Sequence, residues 1–126
     1  MSLEPPMPRF SILVHNHPFL HWDFLLEAGG TCRTWRLLNP PDFPGEIIAE
    51  PLADHRLLYL DYEGPVSGDR GEVFRWDAGT FEWRLDNTDA VEIDVVGTQI
   101  QGRVSLRRRA DQTWIWSVDS ARMQSD

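Results

Sequence analysis

Polar and apolar residues take turns along most of this chain, and the turn-taking has a period of two. In LHWDFLLE, residues 20 to 27, His21, Asp23, Leu25 and Glu27 share one side, while Trp22, Phe24 and Leu26 share the other. That period marks a strand with two different faces. RFSILV before it is a short apolar run ended by a His/Asn/Pro cluster, and reads as a strand. AGG at 28 to 30 is a turn signal, and TCRTWRLL after it is the next strand. The three prolines of NPPDFPG, 39 to 45, break any ladder and make a loop. EIIAEPL fits either type, and 46 to 60 has room for a short helix. HRLLYLDY, 55 to 62, is expected as a strand with His55, Leu57, Tyr59 and Asp61 on one face. EGPVSGDRG is turn-rich, and EVFRWDAGTFEWRL is expected to fold as a hairpin around Asp77-Ala78-Gly79. AVEIDVVG, QIQGRVSLRRR and TWIWSV complete the run. No segment carries a sustained helical stripe with caps. Many short strands between frequent turns predict an all-β fold, a sandwich or a barrel.

Composition narrows this. A length of 126 residues suits one domain, 1–126, around one core. Six tryptophans and six phenylalanines can fill it. Residues 1–8, with three prolines, and 119–126 are expected to be loose arms. No apolar run is long enough to span a membrane, and the start lacks the regions of a signal peptide. A soluble, cytoplasmic monomer is the expectation. The single cysteine, Cys32, excludes an internal disulfide framework and is expected in the core. The net charge is −8, and all twelve cations are arginines. Such a chain should not coat nucleic acid, because phosphate neutralisation supplies non-specific affinity. It can still act on one phosphate at a strand end.

The candidate chemistry is concentrated in HNHPFLHWD, residues 15 to 23, which holds three of the four histidines. If the strands flanking NHPF pair, His15 returns beside His21, and Asp23 shares the face of His21. Two imidazoles and a carboxylate suit Mn²⁺, Zn²⁺ or Fe²⁺ and leave positions for water and substrate. His55 and Tyr59 can donate hydrogen bonds to a phosphate or protonate a leaving oxygen. The plainer alternative is a polar turn with half-buried histidines. His17, directly before Pro18, reads as a solvated turn residue. The arginines 107–109 read as a strand end, and Trp114 and Trp116 as core.

FSILVHNHPFLHWDFLLE resembles the opening of the 3′-phosphoesterase module of bacterial DNA ligase D. That family's pattern is His, five residues, His, one residue, Asp, one residue, Arg, then Leu-Glu. TWRLLNPP sits where the family has Ser-Trp-Ala-Val-Pro-Lys-Gly-Pro. ADHRLLYLDYEGPVSGDRGEVFRWDAGTF and GRVSLRRRADQTWIWS resemble its later segments, so the likeness covers residues 9 to 117. The resemblance implies a compact β-barrel of mainly antiparallel strands with a crescent-shaped groove. It implies an Mn²⁺ site, with Zn²⁺ or Co²⁺ as alternatives, at His15, His21 and Asp23. It gives His55 and Tyr59 the contacts to the scissile phosphate. The implied activity is removal of a 3′-terminal ribonucleoside or 3′-phosphate from DNA or primer strands. The substrate is then a nucleic acid 3′ end or a small phosphoester, with ligase and polymerase repair proteins as partners.

The sequence departs from the family at the phosphate clamp. The arginine two after the ligand aspartate is Leu25, the arginine two before the second histidine is Phe19, the segment's lysine is Asn39, and a glutamate is Ala53. Leucine offers no donor where arginine would grip a phosphate as a fork. Loss of such a contact costs about 3 kcal/mol, two orders of magnitude in rate. Arg9, Arg33 and Arg36 are the nearby cations that can compensate. The competing expectation is a non-catalytic module that binds metal or a protein partner. A non-haem iron oxygenase, which also uses His-x-Asp and a distant His, is the third.

Overall fold

A computed structural model describes residues 6–120. Nine strands follow in chain order: β1 Arg9–His15, β2 His21–Ala28, β3 Thr31–Leu37, β4 Ile47–Arg56, β5 Gly64–Pro65, β6 Glu72–Asp86, β7 Ala90–Gly97, β8 Gln101–Arg108 and β9 Trp114–Asp119. A 3₁₀ turn, Leu57–Leu60, follows β4. All pairings are antiparallel. The order β1-β2-β3-β4-β9-β8-β7-β6 closes through β1–β6 into an eight-stranded barrel, with β5 beside β6. The barrel expectation holds. No helix among the described residues is long and apolar enough to cross a membrane.

The alternation seen in the sequence divides the barrel wall. Its inner positions bury Phe10, Ile12, Phe24, Leu26, Trp35, Leu37, Phe81, Ile93, Leu106 and Trp116 in one core. Each large apolar side chain there is worth roughly 1.5–3 kcal/mol of burial. The outer positions of β1 to β3 are covered instead by the chain between β4 and β6. Leu13, Leu25, Cys32, Leu60 and Val73 form a second apolar cluster there, with Tyr59, Tyr62 and Val66 against it. Burial pushes the Cys32 thiol up to about 11, in keeping with a core role.

Three expectations need correction. The hairpin around Asp77 does not exist, because β6 runs unbroken from Glu72 to Asp86. Asp77, Ala78 and Gly79 pair in register with Ile12, Ser11 and Phe10, and the bulge falls just before them at Trp76, opposite the Ile12–Leu13 step of β1. The Asp77 carboxylate accepts hydrogen bonds from the backbone N–H groups of Ala78, Thr98, Gln99 and Ile100, tying β6 to the β7–β8 turn. Of residues 55–62, only His55 and Arg56 are strand, and Leu57–Leu60 form the 3₁₀ turn. The strand begins earlier, at Ile47, and ends at Arg56. β4 pairs with β9 only as far as Ala49, so Pro51 sits where the β9 ladder has ended and its missing N–H costs nothing. Beyond that point β4 follows β3 alone and rises over the outer face of the barrel. The expected arms, 1–8 and 119–126, each give up their innermost residue to the barrel. The Pro8 carbonyl accepts a hydrogen bond from Phe81 N–H, and Asp119 still pairs with Arg103. Residues 1–5 and 121–126, the rest of those arms, lie outside the described residues.

Candidate functional site

The turn between β1 and β2 sets the site. It returns the chain so that His15 pairs with His21 and Leu13 with Asp23. The two imidazoles stand with ring centroids 4.9 Å apart. Ligand-type atoms of His15, His21 and Asp23 all lie within 4.8 Å of one another. His21 and Asp23 are buried.

Two carbonyls fix which nitrogens face inward. His21 Nδ1 lies 2.8 Å from the Phe19 carbonyl, an acceptor only, so Nδ1–H donates and the neutral ring keeps its lone pair on Nε2. His15 Nε2 likewise donates to the Arg70 carbonyl at 2.9 Å, leaving the Nδ1 lone pair. Those two lone pairs face the carboxylate of Asp23, His21 Nε2 at 3.1 Å from Oδ1 and His15 Nδ1 at 3.4 Å from Oδ2. His21 Nε2 and Asp23 Oδ1 are buried and have no hydrogen-bond partner. Acceptors gathered with no donor between them are costly unless a cation joins them. Backbone acceptors that orient the outer nitrogen of each imidazole are also the usual support of a metal-ligand histidine. The donor set therefore fits a divalent ion.

The site opens into a cavity of about 500 Å³ under the β4–β6 excursion. All four histidines line it, with Asp23, Asp54 and Tyr59, and Arg36, Arg56 and Arg70 supply positive charge. His55 donates Nδ1–H to the Ala53 carbonyl at 3.1 Å, which leaves Nε2 as its working atom. The 3₁₀ turn carries Tyr59 back to His55, ring centroids 5.8 Å apart. The pair meets as expected, by a turn rather than by strand parity. His17 lines the cavity but is outside the cluster of ligand atoms. One wall depends on Gly71, at φ +74, whose added Cβ would fall 2.2 Å from Asn16 Oδ1. That same oxygen accepts the Glu72 N–H at 2.9 Å, clasping the 66–72 loop onto the histidine turn.

The DNA ligase D 3′-phosphoesterase domain model matches residues 14–108. The chain belongs to this family. It is similar to the multifunctional non-homologous end joining DNA repair protein LigD of Mycobacterium tuberculosis (strain ATCC 25618 / H37Rv), 32% identical over 117 residues. The matched part is 84% of this chain and 15% of that protein. The multifunctional non-homologous end joining protein LigD of Pseudomonas aeruginosa is 29% identical over 110 residues, 79% of this chain and 13% of the relative. The chain thus spans about one seventh of the length of the curated relatives it matches.

Against the family pattern, the missing cations acquire a physical description. Leu25 is fully buried in the outer apolar cluster and does not reach the cavity. Phe19 is exposed, its ring edge-on to His21 at 5.5 Å. Asn39 does not line the cavity. Of the three arginines expected nearby, Arg9 is bound to Asp61, which it holds below the usual carboxylate range. Arg33 pairs with Asp86 and lies over Trp35 and Trp83. Arg36 alone of the three lines the cavity. Arg56, the last residue of β4, and Arg70, in the loop before β6, were not singled out from the sequence. The backbone carbonyls of Phe19, Ala53 and Arg70 were also hidden, since sequence patterns carry no signal for a main-chain acceptor.

Proposed function

We propose that the chain is a divalent-metal-dependent phosphoesterase that processes 3′ ends of DNA or RNA primer strands during end-joining repair. The observation that carries this is the pair of orphaned acceptors, His21 Nε2 and Asp23 Oδ1, at the floor of a cavity rimmed with arginine. His15, His21 and Asp23 would hold the ion, Mn²⁺ in the first instance and Zn²⁺ or Co²⁺ as alternatives. When bound, the cation supplies Lewis-acid polarisation of a phosphoryl oxygen. The remaining work falls to the chain itself. His55 Nε2, its ring held by the Ala53 carbonyl, carries a proton to the leaving oxygen. The Tyr59 hydroxyl donates a hydrogen bond to the phosphoryl group. The apolar cluster beneath Tyr59 keeps that ring in place.

The net charge of −8 disfavours long tracts of nucleic acid. Recognition of a strand end needs only the local arginines. The substrate is accordingly a terminal 3′-ribonucleoside or 3′-phosphate, and the end-joining relatives make ligase and polymerase proteins the natural partners. The test is Mn²⁺-titrated cleavage of an end-labelled primer-template bearing one 3′-ribonucleotide, beside a 3′-phosphate strand. The expected result is metal-dependent loss of the terminal group by the wild type and none by His21→Ala or His55→Ala. A folded, metal-loaded protein that leaves both strands intact would overturn the proposal and favour a binding module.

A further inference from the structure

The position that the sequence singles out as lacking a cation, Leu25, is closed by packing. A cation that lines the cavity stands on the neighbouring strand. Arg36 is the cross-strand partner of Asp23 in the β2–β3 ladder. Directly opposed residues of an antiparallel pair project to the same face, and Arg36 lines the same cavity as Asp23. Its guanidinium lies 5.2 Å from the centroid of the Phe19 ring, which itself stands beside His21. One aromatic ring therefore touches both the cation and a histidine of the metal-type cluster. The grip is incomplete. The nearest carboxylate, Glu50, is 3.7 Å away and half exposed, and Arg36 Nε is buried with no acceptor. The buried Nε is closed to the cavity, but the terminal nitrogens have no hydrogen-bonded acceptor closer than Glu50, so the guanidinium lines the cavity as a fork without its anion.

The geometry points to Arg36 as the phosphate-binding arginine of this site, gripping the phosphoryl group of a phosphate monoester or diester in place of the arginine that Leu25 lacks. Phe19 is the platform that presents it. This rests on the phosphoesterase reading for the identity of the ligand, but the anion site itself does not require turnover. Arg70 is a weaker candidate, because its Nε and Nη2 donors are spent on Ser67 within its own loop. Arg33 is the internal comparison: it is equally close in sequence but committed to Asp86 outside the cavity.

The experiment measures binding of inorganic phosphate, and of a short strand with a 3′-phosphate, to the Mn²⁺-loaded protein by titration calorimetry. Wild type, Arg36→Gln, Arg36→Lys and Arg33→Gln are compared, with Mn²⁺ affinity measured in parallel. Arg36→Gln should weaken phosphate at least tenfold with Mn²⁺ affinity unchanged, Arg36→Lys should recover part of the loss, and Arg33→Gln should match wild type. Unchanged phosphate affinity in Arg36→Gln, or a wild type that binds no phosphate, overturns the assignment. A wild type that binds phosphate through Arg36 yet cleaves nothing sustains it and sinks the catalytic proposal instead. Phe19→Leu gives a second arm, because loss of the platform should weaken phosphate while the guanidinium remains; wild-type affinity there would overturn the platform role.

Discussion

Asparagine at position 23 should make the metal-free protein more stable and deaf to metal. His21 Nε2 and Asp23 Oδ1 stand 3.1 Å apart, both acceptors, both buried and neither with a partner. In Asp23→Asn the amide N–H can donate to Nε2 at that same distance, with no change of side-chain shape. A buried polar atom left unpaired costs about 1–3 kcal/mol. Here one new bond relieves two such atoms, and a buried charge is removed with them. A net gain of about 2 kcal/mol is the expectation, a rise in Tm of roughly 5–10 °C for a chain of this size. The wild type should behave in the opposite way. At a hundredfold excess of Mn²⁺ over its Kd it gains about 2.7 kcal/mol by linkage, and the asparagine variant gains almost none. Differential scanning calorimetry of both proteins, in EDTA and in MnCl₂, reads all four states. The reasoning is refuted if the variant in EDTA melts below the wild type in EDTA, or if Mn²⁺ raises both equally.

Other consequences follow from the scaffold. Asp77→Ala strands four backbone donors, of which only that of Ile100 belongs to a fully buried residue; urea denaturation should show a loss of about 3 kcal/mol. Gly71→Ala forces a Cβ into Asn16 at a positive φ. It should cost about 1–2 kcal/mol and release the 66–72 loop, seen as faster amide exchange at Glu72 with the barrel strands unchanged. Asp94 is held below the ordinary carboxylate range by its hydrogen bond to Arg103, then by that to Arg84. A lowered folded-state pKa contributes stability that is complete above the unfolded value and is lost as pH falls through the folded one. Asp94→Asn should therefore destabilise at neutral pH and flatten the acid limb of the stability profile, and a limb as steep as that of wild type would exclude this ion pair as its source.

How much of this was legible in the sequence depends on what each residue answers to. The two faces of residues 20 to 27 were readable because burial obeys a period of two, and Asp23 and Phe24 do lie on opposite sides of the wall. The Gly29–Gly30 turn was readable as well, and it fixes Ala28 opposite Thr31, which carries Asp23 to Arg36 five rungs along. That inference was available but needs the turn to be two residues long, which AGG alone does not decide. Asp77-Ala78-Gly79 misled because turn-forming residues can also lie within an unbroken strand, and three of the four backbone partners of Asp77 lie 21 to 23 residues away. Residues 57–60 misled because Leu-Leu-Tyr-Leu satisfies either period, and tertiary contact with the barrel's outer face decides between them.

The fate of Leu25 shows why the site could change its cation without losing its frame. The larger apolar core lies on the inner face, and the outer face carries a separate, smaller cluster. The outer face must do two things, anchor the β4–β6 excursion and present charge to the cavity. At position 25 these demands compete. A leucine there is fully buried against Leu13, Cys32, Leu60 and Val73, worth roughly 1.5–3 kcal/mol to the covering segment. An arginine in that place would need its charge desolvated or the cover lifted. At position 36 they do not compete, because the side chain projects from the next strand beside Asp23, where the cavity is open. Charge placed there leaves the apolar anchor intact. The leucine that looks like damage in the sequence is then part of the support beneath Tyr59, and restoring arginine at 25 should loosen the cavity wall rather than improve the grip on phosphate.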